Sequence, residues 1–343
     1  MMDVGIIGGG PAGSALAIEL GRRGVKVLLL EKARHPRPKA CGEGLLPQGV
    51  AVLREMGLME GALAQGFPRV RGLKFQSPGG RTAACDFRDS FGLVVRRDRF
   101  DPWLFGIAAA TPNVEVRENA IVRDPSEVDA RIIVGADGLH SIFHHHGVFR
   151  GRRSNRVGQS AHVRLDLEDR VEIRFLADGE LYMAPSGPGE ALVASLGRAY
   201  IPLRQRFPDA EFVTPVLSRA PLGLVLKRVV HKNVLLIGDA AGAPDPITGE
   251  GLSLALASAR IAARVIAERR PLEEYERERL SMGANAHRFG RILRGLSGRP
   301  RLADRVIAKF HRDPELARAL VDVAEGRRPA AELTLFEMMK LAV

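Results

Sequence analysis

Cysteine is almost absent from this chain, and so are segments that would export it or anchor it in a bilayer. The two cysteines, Cys41 and Cys85, are too few for the disulfide scaffold of a small secreted domain. No apolar run reaches the ~18 residues that cross a membrane. The chain opens with a short apolar stretch at residues 4–7 rather than with a charged leader. We therefore expect a cytoplasmic protein.

Lysine and aromatic residues are also scarce. Only eight of the 51 basic residues are lysines, and aromatic residues make up 5% of the chain. The formal net charge of +11 therefore comes from arginine, which is spread along the chain in the manner of a solvated surface. This pattern does not favour a nucleic-acid partner, and it leaves open a peripheral contact with an anionic membrane. One denser cluster is a candidate for facing an anion: Arg150, Arg152, Arg153 and Arg156.

Motifs of metal and nucleophile chemistry are missing as well. The chain has no C-x-x-C pair and no G-x-S-x-G turn around a nucleophilic serine. His144, His145 and His146 are consecutive, but adjacent side chains diverge and no second ligand cluster has suitable spacing. The sequence therefore predicts no metal site.

A strand–turn–helix–strand unit opens the chain. Residues 4–7 form a short apolar stretch, residues 14–23 carry helix formers, and residues 25–30 are continuously apolar. Continuous apolar strands are typical of a parallel sheet that is buried on both faces. The sequence therefore predicts an α/β fold of the doubly wound, Rossmann type, beginning with a βαβ unit.

Later segments have a different pattern of apolar and polar residues. Alternating apolar and polar residues predict antiparallel strands within 67–95 and again within 157–228. Buried strands return at residues 131–134 and 233–237, and the second of these precedes a long helix over 249–268. The remaining tail is helical and amphipathic, with a break near Gly298-Arg299-Pro300. We thus predict that a β-rich domain is inserted into the α/β domain in two pieces.

The turn after the first strand matches G-x-G-x-x-G at Gly8, Gly10 and Gly13. Glycine permits the tight turn, the close approach of a pyrophosphate to the backbone, and the packing of helix on strand. Glu31 ends the second strand, where a carboxylate binds the ribose hydroxyls of an adenosine cofactor. The motif alone allows either NAD or FAD. The cofactor-binding residues predicted at this end are Gly8, Gly10, Pro11, Ala12, Gly13, Glu31 and Lys32.

Three further elements resemble those of FAD-dependent hydroxylases and reductases. Arg97 begins a match to R-x-x-F-D-x-x-L, whose arginine lies near the FAD phosphates. Asp137 lies in a match to G-A-D-G-x-x-S, an element close to the cofactor. Gly238-Asp239 begins the longest match, in which the aspartate binds the ribityl chain and the following loop borders the flavin. In that loop and beside the cofactor, the predicted binding residues are Pro246, Gly249, Gly251, Leu252 and Val122.

With these residues together, the chain resembles the geranylgeranyl reductase-like branch of the aromatic-hydroxylase superfamily, over roughly residues 1–270. Gly242 stands where the hydroxylases usually have histidine, and residues 39–45 resemble the K-x-C-G-x-G-L segment of the reductases. The resemblance implies that Lys39, Cys41 and Gly42 lie near the flavin. It makes Cys41, Glu43 and Tyr182 the candidate catalytic residues, in that order, whereas Cys85 is interpreted as a strand residue.

The order of strands and helices along the chain defines the predicted domains. An FAD-binding domain comprises residues 1–66, 94–156 and 229–271, a β-rich substrate domain comprises 67–93 and 157–228, and 272–343 is a helical segment. The family's arginine three residues after Ser141 is replaced by His144, so the nicotinamide contact of the family is not implied here. The segment Leu181–Pro185 lacks the tryptophan of the archaeal lipid reductases, and the tryptophan halogenase pattern is absent.

These patterns lead to three hypotheses. The first is a reductase that uses FAD, with NADPH or NADH as donor, to reduce carbon–carbon double bonds of a hydrophobic prenyl- or polyketide-like substrate. The second is an FAD-dependent monooxygenase that hydroxylates an aromatic or apolar substrate. The third, suggested only by charge, is a flavoprotein with an RNA or membrane partner.

Overall fold

Eighteen strands and nine α-helices make up the computed structural model within the residues that it describes, 1–145 and 147–333. In chain order the strands are β1 (Met2–Ile7), β2 (Val27–Leu30), β3 (Gly44–Leu45), β4 (Arg69–Val70), β5 (Gly72–Gln76), β6 (Thr82–Asp86), β7 (Gly92–Val94), β8 (Val114–Arg117), β9 (Ala130–Gly135), β10 (Gly151–Arg153), β11 (Val157–Arg164), β12 (Arg170–Phe175), β13 (Gly179–Gly187), β14 (Glu190–Gly197), β15 (Leu217–Arg219), β16 (Leu224–Leu226), β17 (Val230–His231) and β18 (Val234–Leu236). The helices are α1 (Pro11–Gly21), α2 (Pro47–Glu55), α3 (Met59–Ala64), α4 (Arg97–Ala110), α5 (Leu203–Arg206), α6 (Gly251–Ala267), α7 (Leu272–Arg294), α8 (Pro300–Arg312) and α9 (Pro314–Ala324).

The first sheet has six strands in the order β17-β18-β9-β1-β2-β8. All its pairs are parallel except the β17–β18 hairpin. Helix α1 packs between this sheet and helices α4 and α6, and every residue of α1 is buried. Coverage of the sheet by helices explains why β2, with the sequence VLLL, is apolar throughout. The α/β fold predicted from the sequence is confirmed.

The second sheet has seven strands in the order β15-β11-β14-β13-β12-β5-β6. Alternation predicted its strands as two antiparallel blocks, but the structure joins them into one sheet in which β5 and β12 run parallel. Alternation fixes which face of a strand is buried, whereas the choice of neighbour and direction depends on tertiary packing. All six strands of the first sheet lie within the predicted FAD-binding ranges. The exact domain boundaries stay a prediction.

Helices α7, α8 and α9 cover the edge of the second sheet. A separate core forms there, with Phe75 and Phe175 from the sheet and Phe289, Leu293 and Phe310 from the helices. The predicted break in the tail lies between the end of α7 and the start of α8. Residues 334–343 of the predicted helical segment are outside the described part of the chain. No helix in the described ranges combines the length and apolar character of a membrane span.

Candidate functional site

A cavity of about 580 Å³ lies between the two large sheets, at the carboxyl ends of β1, β2, β9 and β18. Ligand sites of open α/β sheets lie at this edge, where several loops converge. All but one of the sequence-predicted site residues line it: Gly8, Gly10, Pro11, Ala12, Glu31, Lys32, Lys39, Cys41, Gly42, Glu43, Arg97, Val122, Asp137, Tyr182, Gly238, Asp239, Pro246, Gly249, Gly251 and Leu252. The exception, Gly13, lies beneath the glycine turn.

The glycine turn fits a pyrophosphate. A Cβ at Gly13 would lie 1.9 Å from the carbonyl oxygen of Gly8, so close packing of helix on strand requires glycine there. Gly8 itself has φ of +113°, in the region that favours glycine. A Cβ at Gly10, in contrast, would meet only Nη2 of Arg37, at 3.5 Å. The face of Gly10 is therefore open to the cavity at the start of α1, where free amides favour an anion.

Two carboxylates flank this turn. Glu31 is 3% exposed and accepts hydrogen bonds from the amides of Gly9, at 2.8 Å, and Ala33, at 3.0 Å. Asp137 accepts a hydrogen bond from the Ile142 amide at 2.9 Å, and its other oxygen is buried with no partner among the described residues. Burial raises the pKa of Asp137. Asp137 thus lines the cavity beside the glycine turn with part of its carboxylate buried.

Opposite charges meet at the Gly238-Asp239 element, which follows β18. Asp239 forms an ion pair with Arg219 at 2.8 Å. Burial raises the pKa of Asp239, but Arg219 and Lys39 outweigh it and lower the pKa to about 2. Burial and the neighbouring Arg97 lower the pKa of Lys39 to about 8. Asp239 is thus held ionised, as an acceptor for hydroxyl groups.

A buried ion network holds the loop between Asp239 and α6. Asp245 accepts a hydrogen bond from the Ile247 amide, and it forms an ion pair with Nη1 of Arg156 at 2.7 Å. The other side of the Arg156 guanidinium binds Glu180 of β13, which also accepts from Ser297. The sequence placed Arg156 in a basic cluster that could face an anion; the anions it meets are these two carboxylates.

The segment from Cys41 to Gly44 crosses the cavity between the sheets. The Cys41 amide donates to Oγ of Ser160 at 3.2 Å, and the Glu43 amide donates to Sγ of Cys41 at 3.3 Å. One carboxylate oxygen of Glu43 accepts from the Arg97 amide at 3.1 Å. The other lies 2.9 Å from Nε2 of His162. The segment is thereby fastened to both α4 and the second sheet.

Tyr182 and Arg97 complete this wall. The Tyr182 ring packs on the backbone of Gly42 and Gly44, since a Cβ at Gly44 would lie 2.5 Å from its hydroxyl. Burial, together with Cys41 and Glu43, raises the pKa of Tyr182, so the phenol keeps its proton. Arg97 pairs with Asp101 at 2.6 and 2.7 Å. Burial lowers the pKa of Arg97, but Asp101 and Cys41 outweigh burial, so the net pKa is above its ordinary value.

Sequence reasoning missed several groups of the site. Arg37, Ser160 and Arg219 line the cavity, and His162 contacts it through Glu43. No local motif marks them, because Ser160 and His162 meet residues 41–43 across 119 positions of sequence. His144 stands at the position of the family's arginine, and its Nε2 lies 2.9 Å from the carbonyl oxygen of Ala240. His146 is outside the described residues.

Within residues 1–145 and 147–333, no group of three or more histidine, cysteine, aspartate or glutamate side chains is arranged to hold a metal ion. In the cavity, Glu31 and one oxygen of Asp137 accept from backbone amides, and Asp239 pairs with Arg219.

Comparison with known proteins agrees with this geometry. Residues 1–192 match the family model described as an FAD binding domain. The menaquinone reductase of Mycobacterium tuberculosis is 30% identical, over 88% of this chain and 83% of that protein. Digeranylgeranylglycerophospholipid reductase 2 of Methanopyrus kandleri is 28% identical, over 78% of this chain and 77% of its own length. A flavoprotein/dehydrogenase from Cytophaga hutchinsonii has the same fold, with a TM-score of 0.80 at 22% identity, covering 95% of this chain and 93% of that one. The chain belongs to the FAD-binding domain family of flavin-dependent oxidoreductases, whose members here include geranylgeranyl reductase-like proteins.

Proposed function

We propose that this protein uses FAD to reduce carbon–carbon double bonds of a hydrophobic, prenyl- or polyketide-like substrate, with NADPH or NADH as electron donor. The names of the menaquinone and digeranylgeranylglycerophospholipid reductases support the reaction class. The observation that carries the proposal is the wall formed by Cys41, Glu43 and Tyr182, which brings three titratable side chains to one cavity. FAD, when bound and reduced, supplies the hydride.

Reduction of an alkene needs a proton as well as a hydride, and we assign the proton to this wall. Cys41 is the first candidate donor, because its thiol lines the cavity and its Sγ accepts a hydrogen bond from the Glu43 amide. In this proposal Glu43, which contacts His162, returns a proton to Cys41 after each turnover. The nicotinamide donor supplies two electrons and one proton, solvent supplies the second proton, and the alkene gains two hydrogens.

The substrate region of the cavity is apolar on the sheet side. Ala194, Leu196 and Leu222 line it there, beyond Tyr182. All of them are buried and apolar, so an apolar ligand placed against them would remove its own apolar surface from water, which is favourable. This supports a hydrophobic substrate and gives no preference between a prenyl chain and a polyketide.

The test separates reduction from oxygenation. The enzyme is reduced without oxygen and mixed with geranylgeraniol, a menaquinone or an aromatic acid, and products are weighed by mass spectrometry. A product heavier by two hydrogens, formed without oxygen, supports the reductase. Products that form only in oxygen-18 gas and carry the label overturn it and establish the monooxygenase alternative.

A further inference from the structure

Positive charge is concentrated at the end of α7 and along α8. No residue of this part of the chain lines the first cavity. Residues 288–312 contain one acidic residue, Asp304, against eight basic ones: Arg288, Arg291, Arg294, Arg299, Arg301, Arg305, Lys309 and Arg312. Arginine is spread along the whole chain, but this stretch holds a local excess of it. The single charge of Asp304 offsets only one of these eight, and its carboxylate accepts from Ser77 and from the Gly79 amide at 2.9 Å.

Most of these arginines have no carboxylate partner. Arg294 pairs with Asp245 at 3.5 Å. Within the described part of the chain, six form no ion pair and are exposed or half-exposed: Arg288, Arg291, Arg299, Arg301, Arg305 and Arg312. An unpaired, solvated set of like charges repels itself, and an external anion relieves that repulsion.

A second cavity, of about 570 Å³, opens between these arginines. Its wall is aliphatic, with Ile292, Leu293 and Leu296 from α7 and its C-terminal turn, Leu302 and Val306 from α8, and Leu320 from α9. Arg288, Arg291 and Arg299 line it as well, and all three are exposed. The volume is within the roughly 300–1,000 Å³ typical of ligand sites.

Helix α8 extends the basic rim. At 100° per residue, Arg301, Arg305 and Arg312 fall in one stripe beside the stripe of Leu302 and Val306, which line the cavity. An apolar opening bordered by guanidinium groups is complementary to a molecule with an anionic head and an apolar chain. Arginine also binds phosphate oxygens in a bidentate manner.

We propose that this surface docks the protein onto an anionic phospholipid membrane, with the arginines on lipid phosphates and an acyl chain in the cavity. A single-stranded RNA would need aromatic side chains for its bases to stack on, and the described residues that line this cavity include none. Each basic residue near an anionic bilayer strengthens binding by roughly fivefold. This proposal does not depend on the reaction catalysed in the first cavity.

The test is flotation of the FAD-loaded protein with vesicles of phosphatidylglycerol and phosphatidylcholine, against vesicles of phosphatidylcholine alone. The triple variant Arg288→Gln, Arg291→Gln, Arg299→Gln should bind the anionic vesicles about 100-fold more weakly. The control is Arg54→Gln, Arg123→Gln, Arg228→Gln, which removes the same charge from three exposed arginines that line neither cavity. It should lose far less binding.

The cavity is tested without changing the charge. Leu302→Gln should weaken vesicle binding several-fold, and the exposed Ala331→Gln provides a second polar change should the first not fold. The proposal is overturned if both arginine triples lose binding equally, if neither cavity variant changes it, or if single-stranded RNA binds in place of the anionic vesicles. It is also overturned if removal of residues 334–343 is required before any vesicle binding appears, since those residues would then be the occupant.

Discussion

Nε2 of His162 lies 2.9 Å from a carboxylate oxygen of Glu43, and the two side chains are 9% and 5% exposed. The pair joins the Cys41–Gly44 segment to β11 of the second sheet. His162 is held in turn by Thr214, whose hydroxyl lies 3.3 Å from Nδ1. A carboxylate in this position is oriented from both sides, since the Arg97 amide donates to its other oxygen.

The first prediction concerns this wall. Glu43→Gln keeps an acceptor for the Arg97 amide but removes the charge beside His162. We expect kcat for anaerobic alkene reduction to fall about 100-fold, with Cys41→Ser at least as severe and Tyr182→Phe milder. FAD affinity should change little. Stopped-flow oxidation of the prereduced enzyme measures the effect, and Glu172→Gln, a buried residue of β12, is the control. Full activity in Cys41→Ser would remove Cys41 as the donor.

The second prediction separates cofactor binding from folding at the glycine turn. Gly10→Val should give a folded protein without flavin, because the new side chain points into open space that a pyrophosphate would occupy. Gly13→Val should not fold, because its Cβ overlaps the Gly8 carbonyl. Flavin absorbance per chain, thermal unfolding and chromatography of the heat-released cofactor measure this. FMN in the wild type, or full flavin in Gly10→Val, would contradict it.

The third prediction ranks two aspartates. Asp239→Ala should weaken FAD binding more than Asp137→Ala, since Asp239 is fully ionised by Arg219 and Lys39 whereas burial opposes ionisation of Asp137. The loss of a hydrogen bond from a charged group is worth about 1.5–3 kcal/mol. Titration of the apoproteins with FAD gives both values, and Asp239→Asn isolates the charge. Equal losses of FAD affinity would show that the two aspartates contribute equally to FAD binding.

The fourth prediction is a pH dependence of stability. Glu250, which precedes α6, is 2% exposed, and one of its oxygens has no partner in the described structure. Burial raises its pKa from 4.5 to about 7. Between these values the folded state binds more protons than the unfolded state, so the free energy of unfolding falls as pH rises through this range.

Glu250→Gln removes this loss. Relative to the wild type, the variant should gain stability on the order of 3 kcal/mol as the pH rises through the same range. Urea unfolding of the apoprotein at a series of pH values measures the difference, with the exposed Glu60→Gln as the control. A difference between variant and wild type that does not change with pH would show that Glu250 is ionised throughout.

Local patterns determined the cofactor end of this protein. The glycine turn and the Gly238-Asp239 element each combine a strand end, a turn and a helix start, and Glu31 directly follows a strand end. Such geometry depends on neighbours in sequence. The continuous apolar strand β2 indicated a sheet covered on both faces for the same reason.

Tertiary structure decided the rest. The parallel junction of β5 with β12, the pairing of Glu43 with His162, and the ion pairs of Arg156 and Arg219 join segments with no common motif. The second cavity likewise forms only where α7, α8 and α9 meet. Sequence alternation specifies which side chains are buried, but which buried groups become neighbours is fixed only when the separate segments pack into a single core.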